Sequence, residues 1–330
     1  MKKNLIIILL LSIVAIPFQG HAQKKKTKPK KETSDQYSYT IVTDDPEALR
    51  NLNFIIDPVY VDINDVNLNL GWDAQIRYNF QNTFGVSVKY SKAYLEPNTR
   101  SQYVSPVGGV SPFTNLEIGA SYNLSSETDS KEEKVTVKSV GNVDYYMLIP
   151  AKTMITKALR AGYIHINTYA EGNIAFSGYD ISDPSKTVSG MNGYVNDGNF
   201  GTVMDESIIY FGYSKTTSTN LKVKYKNYGN KGFATSSGWY ADIMFAPVIN
   251  YADAQVRIPQ GSASPDIFTT FHVNDNSPKF PLGARIGYTS SQLTTIGWNF
   301  GAEAGLRPAP DPLSGLYILI NFGISLNVKV

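Results

Sequence analysis

Cysteine is absent from this sequence of 330 residues, and histidine occurs only three times. Without cysteine, the chain has no disulfides, no thiolate nucleophile and no Cys-ligated metal site. An excess of one charge is missing as well, because 30 basic residues face 28 acidic ones. Six of the basic residues are concentrated in Lys24–Lys31, so no basic surface for nucleic acid is predicted outside that short segment.

Long apolar runs are also missing, except at the N-terminus. The positive start Met1–Asn4 precedes the apolar run Leu5–Phe18, and the small residues Gly20 and Ala22 follow. This order predicts a secretory signal peptide, residues 1–23, that is cleaved. The alternative is an uncleaved anchor, but the run is shorter than the roughly 20 residues that span a bilayer. Beyond residue 23 no apolar run approaches spanning length, which leaves a soluble exported protein or a β-barrel.

Alternation of apolar and polar residues favours the barrel. Between Val66 and Phe80 every second residue is apolar and the residues between them are polar or glycine. At about 3.3 Å per residue this strand is close to 50 Å long, about twice the usual length in globular proteins. The alternative, a soluble β-sandwich, would also alternate, but it would not place its glycines on the polar face. The composition agrees with a barrel, because 22 Tyr and 15 Phe suit strands and membrane interfaces.

The same pattern recurs along the chain. Regular alternation extends over 84–91, 116–124, 282–289, 296–307 and 318–330. Less regular or shorter strand candidates are 52–62, 134–149, 157–169, 205–215, 220–228, 238–249 and 267–274. The sequence therefore predicts an all-β, transmembrane, antiparallel up-and-down β-barrel of about 12 strands, within a range of 10–14. The orientation of the strands stays open.

The lysine-led signal ending in Ala22-Gln23, the Tyr-rich alternating strands and the alternating C-terminal strand resemble the outer-membrane β-barrel proteins of Bacteroidota. This resemblance covers about residues 50–330. It implies a place in the outer membrane of a Gram-negative cell, contact with outer-membrane lipid, and assembly by the barrel-insertion machinery. Many such proteins end in an aromatic residue, whereas this chain ends in Val330. The expected organisation is a signal peptide (1–23), a basic and mostly disordered extension (24–51) and the barrel (52–330).

Within the extension, Asp45-Pro46-Glu47 also has the composition of a helix start. Three segments are too long for tight turns, namely 96–113, about 171–204 and about 250–280. Long loops of barrels usually face outward, where they bind ligands or fold in as a plug. Asp and Asn residues in the middle segment do not have the spacing of an EF-hand, and we predict no metal or other cofactor.

Six charged residues of mixed sign fall on the polar faces of the predicted strands. They are candidates for lining the pore: Asp73, Arg77, Lys89, Glu117, Arg285 and Glu303. In a barrel of about 12 strands these side chains would either pair across the interior and block it, or line a narrow water-filled pore. The sequence does not separate these two interpretations.

Three functional classes follow. The first is a passive pore or small-solute channel. The second is a non-enzymatic structural or assembly subunit that contacts another envelope protein through its loops or its basic tail. The third is a lipid-modifying enzyme that depends on His165 or His272, the only histidines outside the signal peptide. Because neither histidine shows triad spacing in the sequence, we predict that the protein is not an enzyme and favour the channel.

Overall fold

The chain is almost entirely β-structure in the computed structural model. The model describes residues 30–31, 38–64, 68–80, 83–95, 104–106, 113–140, 143–172, 178–183, 200–258, 267–273, 279–310 and 315–330. The signal-peptide prediction and most of the lysine-rich segment lie outside the described residues. The strands are β1 Lys30–Lys31, β2 Tyr39–Asp44, β3 Leu52–Asn64, β4 Leu68–Phe80, β5 Phe84–Leu95, β6 Val104–Pro106, β7 Thr114–Val140, β8 Val143–Gly172, β9 Gly178–Asp180, β10 Phe200–Tyr225, β11 Gly229–Tyr251, β12 Ala254–Ile258, β13 Ile267–Val273, β14 Leu282–Gln292, β15 Ile296–Leu306 and β16 Leu316–Val328.

Ten of these strands close into an antiparallel barrel. Their order around the wall is β3, β4, β5, β7, β8, β10, β11, β14, β15 and β16, so neighbours in the wall are also neighbours in the chain. The last strand pairs with the first between Val328 and Leu52, which closes the cylinder. The predicted up-and-down barrel is therefore confirmed, and its ten strands lie at the lower end of the predicted range.

The barrel has fewer than 12 strands because several strands are longer than a membrane crossing requires. The candidates 205–215 and 220–228 belong to one strand, β10, and the three candidates between 116 and 169 are shared by β7 and β8 alone. The candidate at 267–274 lies outside the barrel, since β13 belongs to a four-stranded sheet with β6, β9 and β12. That small sheet is built from the three long segments predicted as loops, and we call it the loop sheet.

The two ends of the barrel differ. At one end lie the start of β3, the end of β16 and the places where β4 is followed by β5, β7 by β8, β10 by β11 and β14 by β15. We call this the turn end. At the opposite end, the loop end, lie the ends of β5, β8 and β11, the starts of β7, β10 and β14, and the loop sheet.

The outer wall is apolar over most of its surface. Side chains that alternate with lumen-facing residues are strongly exposed, and Ile243, for example, is 71% exposed. Aromatic rings flank the wall towards the turn end, where Tyr213 packs on Trp239 with ring centroids 5.6 Å apart. A continuous exposed apolar wall with flanking aromatic residues is the surface that a barrel presents to lipid. Among the described residues, no helix has the length and hydrophobicity needed to cross a membrane.

Two hairpins continue past the barrel at the turn end. The tips of β7–β8 and β10–β11 share a buried cluster that includes Val135, Ile149 and Val223. Strand β2 pairs with the end of β10 between Asp44 and Leu221, and Tyr39 packs against the same cluster. We call this unit the turn-end extension. It has a hydrophobic core of its own, outside the lumen.

The segment before β3 has regular structure in part of its length. The extension 24–51 was expected to be basic and mostly disordered; among its described residues, Tyr39–Asp44 form β2 and Pro46–Ala48 form a short 3-10 helix, whose N-cap Asp45 accepts a hydrogen bond from the Glu47 amide. The chain then runs from β10, where β2 pairs, to β3, which is five strands away in either direction around the wall. Residues 45–51 therefore cross the mouth of the barrel, and we call them the strap.

Candidate functional site: the charged lumen

All six charged residues that the sequence singled out belong to the lumen side of the wall. Arg77, Lys89, Glu117 and Glu303 line a cavity inside the barrel, and Arg285 contacts two of these residues. Asp73 is fully buried and forms an ion pair with Lys89 at 3.3 Å. That these residues line a conducting pore stays a prediction.

The centre of the lumen is bridged by Arg285. Its guanidinium donates to both oxygens of Glu117 (2.7 and 3.2 Å), to Asp242 (2.8 Å) and to Glu303 (3.3 Å). Glu117 lies on β7 and Arg285 on β14, four strands apart in a wall of ten, so this pair spans the interior. A planar guanidinium with five donors is suited to such two-point binding of carboxylates. Of the two interpretations left open above, the structure shows pairing across the interior.

Tyrosines and a second arginine complete this group of charged residues. We call it the cross-lumen cluster, and its members are Glu117, Arg160, Tyr210, Tyr240, Asp242, Arg285 and Glu303. Arg160 lies 3.5 Å from Asp242 and stacks over the Tyr240 ring, 4.0 Å from its centroid. Arg285 stacks over the Tyr210 ring at 4.6 Å. The hydroxyl of Tyr240 donates to Glu303. The charges are therefore neutralised by several partners at once, as burial away from water requires.

Glycine on the lumen face makes room for the tyrosines. A Cβ atom on Gly287 would lie 2.2 Å from the Tyr240 ring, and one on Gly119 would lie 2.4 Å from the Tyr210 hydroxyl. Both rings thus lie flat along the wall over positions without a side chain. The sequence pattern placed glycines on the polar face correctly, and the structure shows that close approach by neighbouring side chains is one reason for them.

A second polar group surrounds Asp57. Its carboxylate accepts hydrogen bonds from the amides of Asn299, at 3.2 Å, and Asn321. Nearer the loop end, Arg307 forms an ion pair with the buried Asp62 at 2.8 Å. Sequence analysis missed Asp57, Asp62, Arg160, Tyr210, Tyr240, Asp242 and Arg307. Most of them lie on polar faces of strands, and strict alternation through β8, β10 and β11 could have identified the members on those strands.

The loop half of the lumen contains a large apolar cluster. Tyr60, Phe113, Ile166, Ile208 and Met244 belong to one buried cluster there, and Val273 of the loop sheet is buried in the same cluster. Glu206 is fully buried in this half, and neither of its carboxylate oxygens has a hydrogen-bond partner among the residues that the structure describes. Val273 belongs to β13, which falls in the predicted loop 250–280. Within the described residues, this strand therefore contributes to filling the lumen.

The turn half of the lumen contains the cavity. It has a volume of about 500 Å³, it begins at the strap and it ends at the cross-lumen cluster. Its wall is rich in small polar side chains, among them Ser87, Ser121, Thr156, Ser214 and Thr216. The strap lies across the cavity mouth, where Arg50 donates to the Leu293 carbonyl at 3.2 Å and to the Thr295 hydroxyl at 2.8 Å.

The two candidate catalytic histidines lie outside the lumen. His165 is on the outer wall, with Nε2 3.5 Å from Asp205 and with Ser207 directly opposite in the β8–β10 ladder. The Ser207 hydroxyl shares a hydrogen bond with the Tyr163 hydroxyl at 2.9 Å. His272, on the loop sheet, lies 2.8 Å from Asp253. In the described part of the chain, no group of three His, Asp or Glu residues could hold a metal ion.

Comparisons with known proteins identify no family for this chain. No protein-family model matches the chain, and no curated protein matches it. Among solved structures, the chain is similar to the NanC porin, with a TM-score of 0.29, 8% identity and coverage of 84% of this chain and 100% of that one. It is also similar to the CymD monoaromatic hydrocarbon channel, with a TM-score of 0.23, 7% identity and coverage of 88% and 94%. At these TM-scores, function has to be argued from the lumen itself. The resemblance to Bacteroidota proteins stays a prediction.

Proposed function

We propose that the protein is an outer-membrane channel for small polar solutes, with the turn end towards the periplasm and the loop end outside. Barrels of this type have short turns in the periplasm and longer loops outside the cell. The observation that carries the proposal is the polar cavity of about 500 Å³, which leads from the turn end to the cross-lumen cluster. It lies inside a barrel whose outer wall is apolar. A lumen that served only to stabilise the fold would be expected to be filled by side chains.

The cross-lumen cluster is the constriction in this proposal. Solute passes only when the Arg285–Glu117 bridge opens and the apolar cluster of the loop half is displaced with it. Repacking of salt bridges between two arrangements is one known kind of switch, which suits a gate. We therefore expect a narrow channel with brief openings rather than a wide and permanently open pore. In this proposal the protein acts without catalysis, and its partners are the membrane lipid and the machinery that inserts barrels.

Single-channel recording in planar lipid bilayers tests this function. We expect discrete openings for the mature protein and larger or longer openings for the double variant Arg285→Gln/Glu117→Gln, which removes both charges of the bridge and leaves less uncompensated charge than Arg285→Gln alone. Lys222→Gln, a change on the exposed face of the turn-end extension, is the matched control and should conduct like the parent. A folded barrel that stays silent in all three forms would contradict the channel.

A second function, an assembly subunit, is favoured by the turn-end extension. The extension projects beyond the barrel on a hydrophobic core of its own. Among the described residues, residues 124–140 of β7 pair only with β8, which leaves their other edge without a neighbouring strand. Such an edge can accept a strand from another protein. We expect another envelope protein to copurify in mild detergent, and deletion of residues 24–44, which keeps the strap, should abolish copurification. Purification of the full-length barrel alone would contradict this second function.

A further inference from the structure

The cations of the lumen differ in whether they have an acidic partner, and this difference bears on the kind of solute that could bind. Lys89 has Asp73 as its partner, Arg307 has Asp62, and Arg160 and Arg285 share the carboxylates of the cross-lumen cluster. Arg77 alone among these lumen cations makes no hydrogen bond or ion pair with a described residue. An arginine inside a barrel, with five donors and no acceptor, is an unusual arrangement because charged groups away from bulk water are normally paired.

The surroundings of Arg77 explain why the protein does not neutralise it. Its neighbours across the two ladders are Asn53 on β3 and Ser87 on β5, both uncharged. Asp57, four residues further along β3, is held by Asn299 and Asn321. Arg77 itself is only half-buried and lines the cavity, so its donors face the volume that a solute would occupy.

Two of the carboxylates that line the cavity, those of Glu117 and Glu303, are already engaged, and the third, Glu47, is exposed on the strap. Glu117 and Glu303 both accept hydrogen bonds from Arg285, and Glu303 also accepts one from the Tyr317 hydroxyl at 2.5 Å. Among the described residues that line the cavity, Arg77 and Lys329 are cations without a hydrogen bond or ion pair, and of these two Lys329 is exposed and Arg77 is half-buried among hydroxyl and amide groups. A free guanidinium binds carboxylate or phosphate through two parallel hydrogen bonds, and the hydroxyl groups around it suit the hydroxyls of a small solute.

We propose that the cavity is a binding site for small hydroxylated anions, with Arg77 as the residue that binds the carboxylate or phosphate group. This inference deepens the proposed channel function and rests on it, because it names the class of solute that enters from the turn end. The serines and threonines of the wall orient the solute, and the Arg285–Glu117 bridge lies at the far end of the site.

Binding is measured by titration calorimetry on the folded, detergent-solubilised full-length mature barrel, because this requires no conduction. The probes are glucuronate for a carboxylate, glucose 6-phosphate for a phosphate, and glucose as the uncharged control. We expect both anions to bind and glucose to bind at least about tenfold more weakly, as loss of a charge-assisted hydrogen bond implies. Preference for one of the two anions identifies which group the site takes.

Three variants decide the role of Arg77. Arg77→Gln should weaken binding of the anions about tenfold or more and leave glucose unchanged, and Arg77→Lys should fall between the parent and Arg77→Gln because it keeps the charge without the planar fork. Lys92→Gln removes a positive charge from the outer wall and should bind like the parent. Equal binding of glucose and the anions, no binding of any probe, or unchanged binding by Arg77→Gln would overturn the inference. A barrel that binds anions but never conducts would instead contradict the channel and leave the site in place.

Discussion

Removal of Arg285 should be the most damaging single change in the lumen. Arg285 is 4% exposed and its side chain makes four hydrogen bonds to three carboxylates. In the variant Arg285→Gln these carboxylates keep only Arg160, at 3.5 Å from Asp242 and 4.0 Å from Glu117, together with the tyrosine hydroxyls. Removing one partner from a buried ion pair costs about 3–5 kcal/mol, because the remaining charge loses its compensation. We expect the free energy of unfolding to fall by that amount.

The partner variant separates pairing from packing. Glu117→Gln alone leaves Arg285 with Asp242 and Glu303, so its cost should be smaller than that of Arg285→Gln. The double variant Arg285→Gln/Glu117→Gln carries less uncompensated charge, and its loss should be about 1–3 kcal/mol smaller than the sum of the two single losses. This coupling free energy measures the cross-lumen bridge directly.

Urea titration of the barrel refolded into lipid vesicles measures these losses. The three tryptophans, Trp72, Trp239 and Trp298, report on folding by fluorescence, and altered migration of unheated samples on a gel confirms that the barrel has formed. Lys222→Gln should stay within about 0.5 kcal/mol of the parent, as an exposed surface change does. A loss below about 1 kcal/mol for Arg285→Gln, or strict additivity in the double variant, would refute the bridge.

Three further predictions concern the wall, the tyrosine packing and the turn-end extension. Ile243→Lys places a charge on the apolar outer wall and should cost up to about 4 kcal/mol in vesicles; a loss below about 0.5 kcal/mol would place that position outside the lipid. Gly119→Ala meets the Tyr210 hydroxyl and should cost about 1–3 kcal/mol in the same titration, and Tyr210→Phe in the same chain should restore most of the loss if the contact is the cause. Ile149→Ala opens a cavity in the turn-end extension and should weaken that unit by about 2–5 kcal/mol. Amide exchange should then accelerate in β2 and both hairpin tips but not in the barrel, whereas acceleration throughout would show that the extension has no separate core.

Most strands of the barrel wall could be predicted from the sequence. Strict alternation located β4, β5, β14, β15 and β16 within a few residues, because a strand that faces water on one side and lipid on the other must change polarity at every residue. The bounds of the less regular strands were harder to predict. Strand β10 was divided in two because its buried side chains change from even numbers inside the barrel, such as Tyr210, to odd numbers in the turn-end extension, such as Val223.

The sequence predicted which charged residues face the lumen but not which of them pair with each other. Periodicity of two identifies which side chains point inward, and all six predicted charges belong to the lumen side of the wall. It carries no information on which strand lies opposite which, and Glu117 and Arg285 are 168 residues apart in the chain. The same holds for Arg77, whose lack of a partner among the described residues depends on where every other lumen carboxylate lies.

The sequence by itself determined the absence of disulfides, the alternating strands, the apolar outer face and the polar inner face of the barrel. These are local properties, since each depends on neighbouring residues and on the pleat of a single strand. Only the tertiary structure decided the number of strands, the course of the strap across the mouth, the cross-lumen bridge and the free guanidinium of Arg77. These depend on closure of the wall, because strand number, tilt and register together determine which distant side chains meet inside the cylinder.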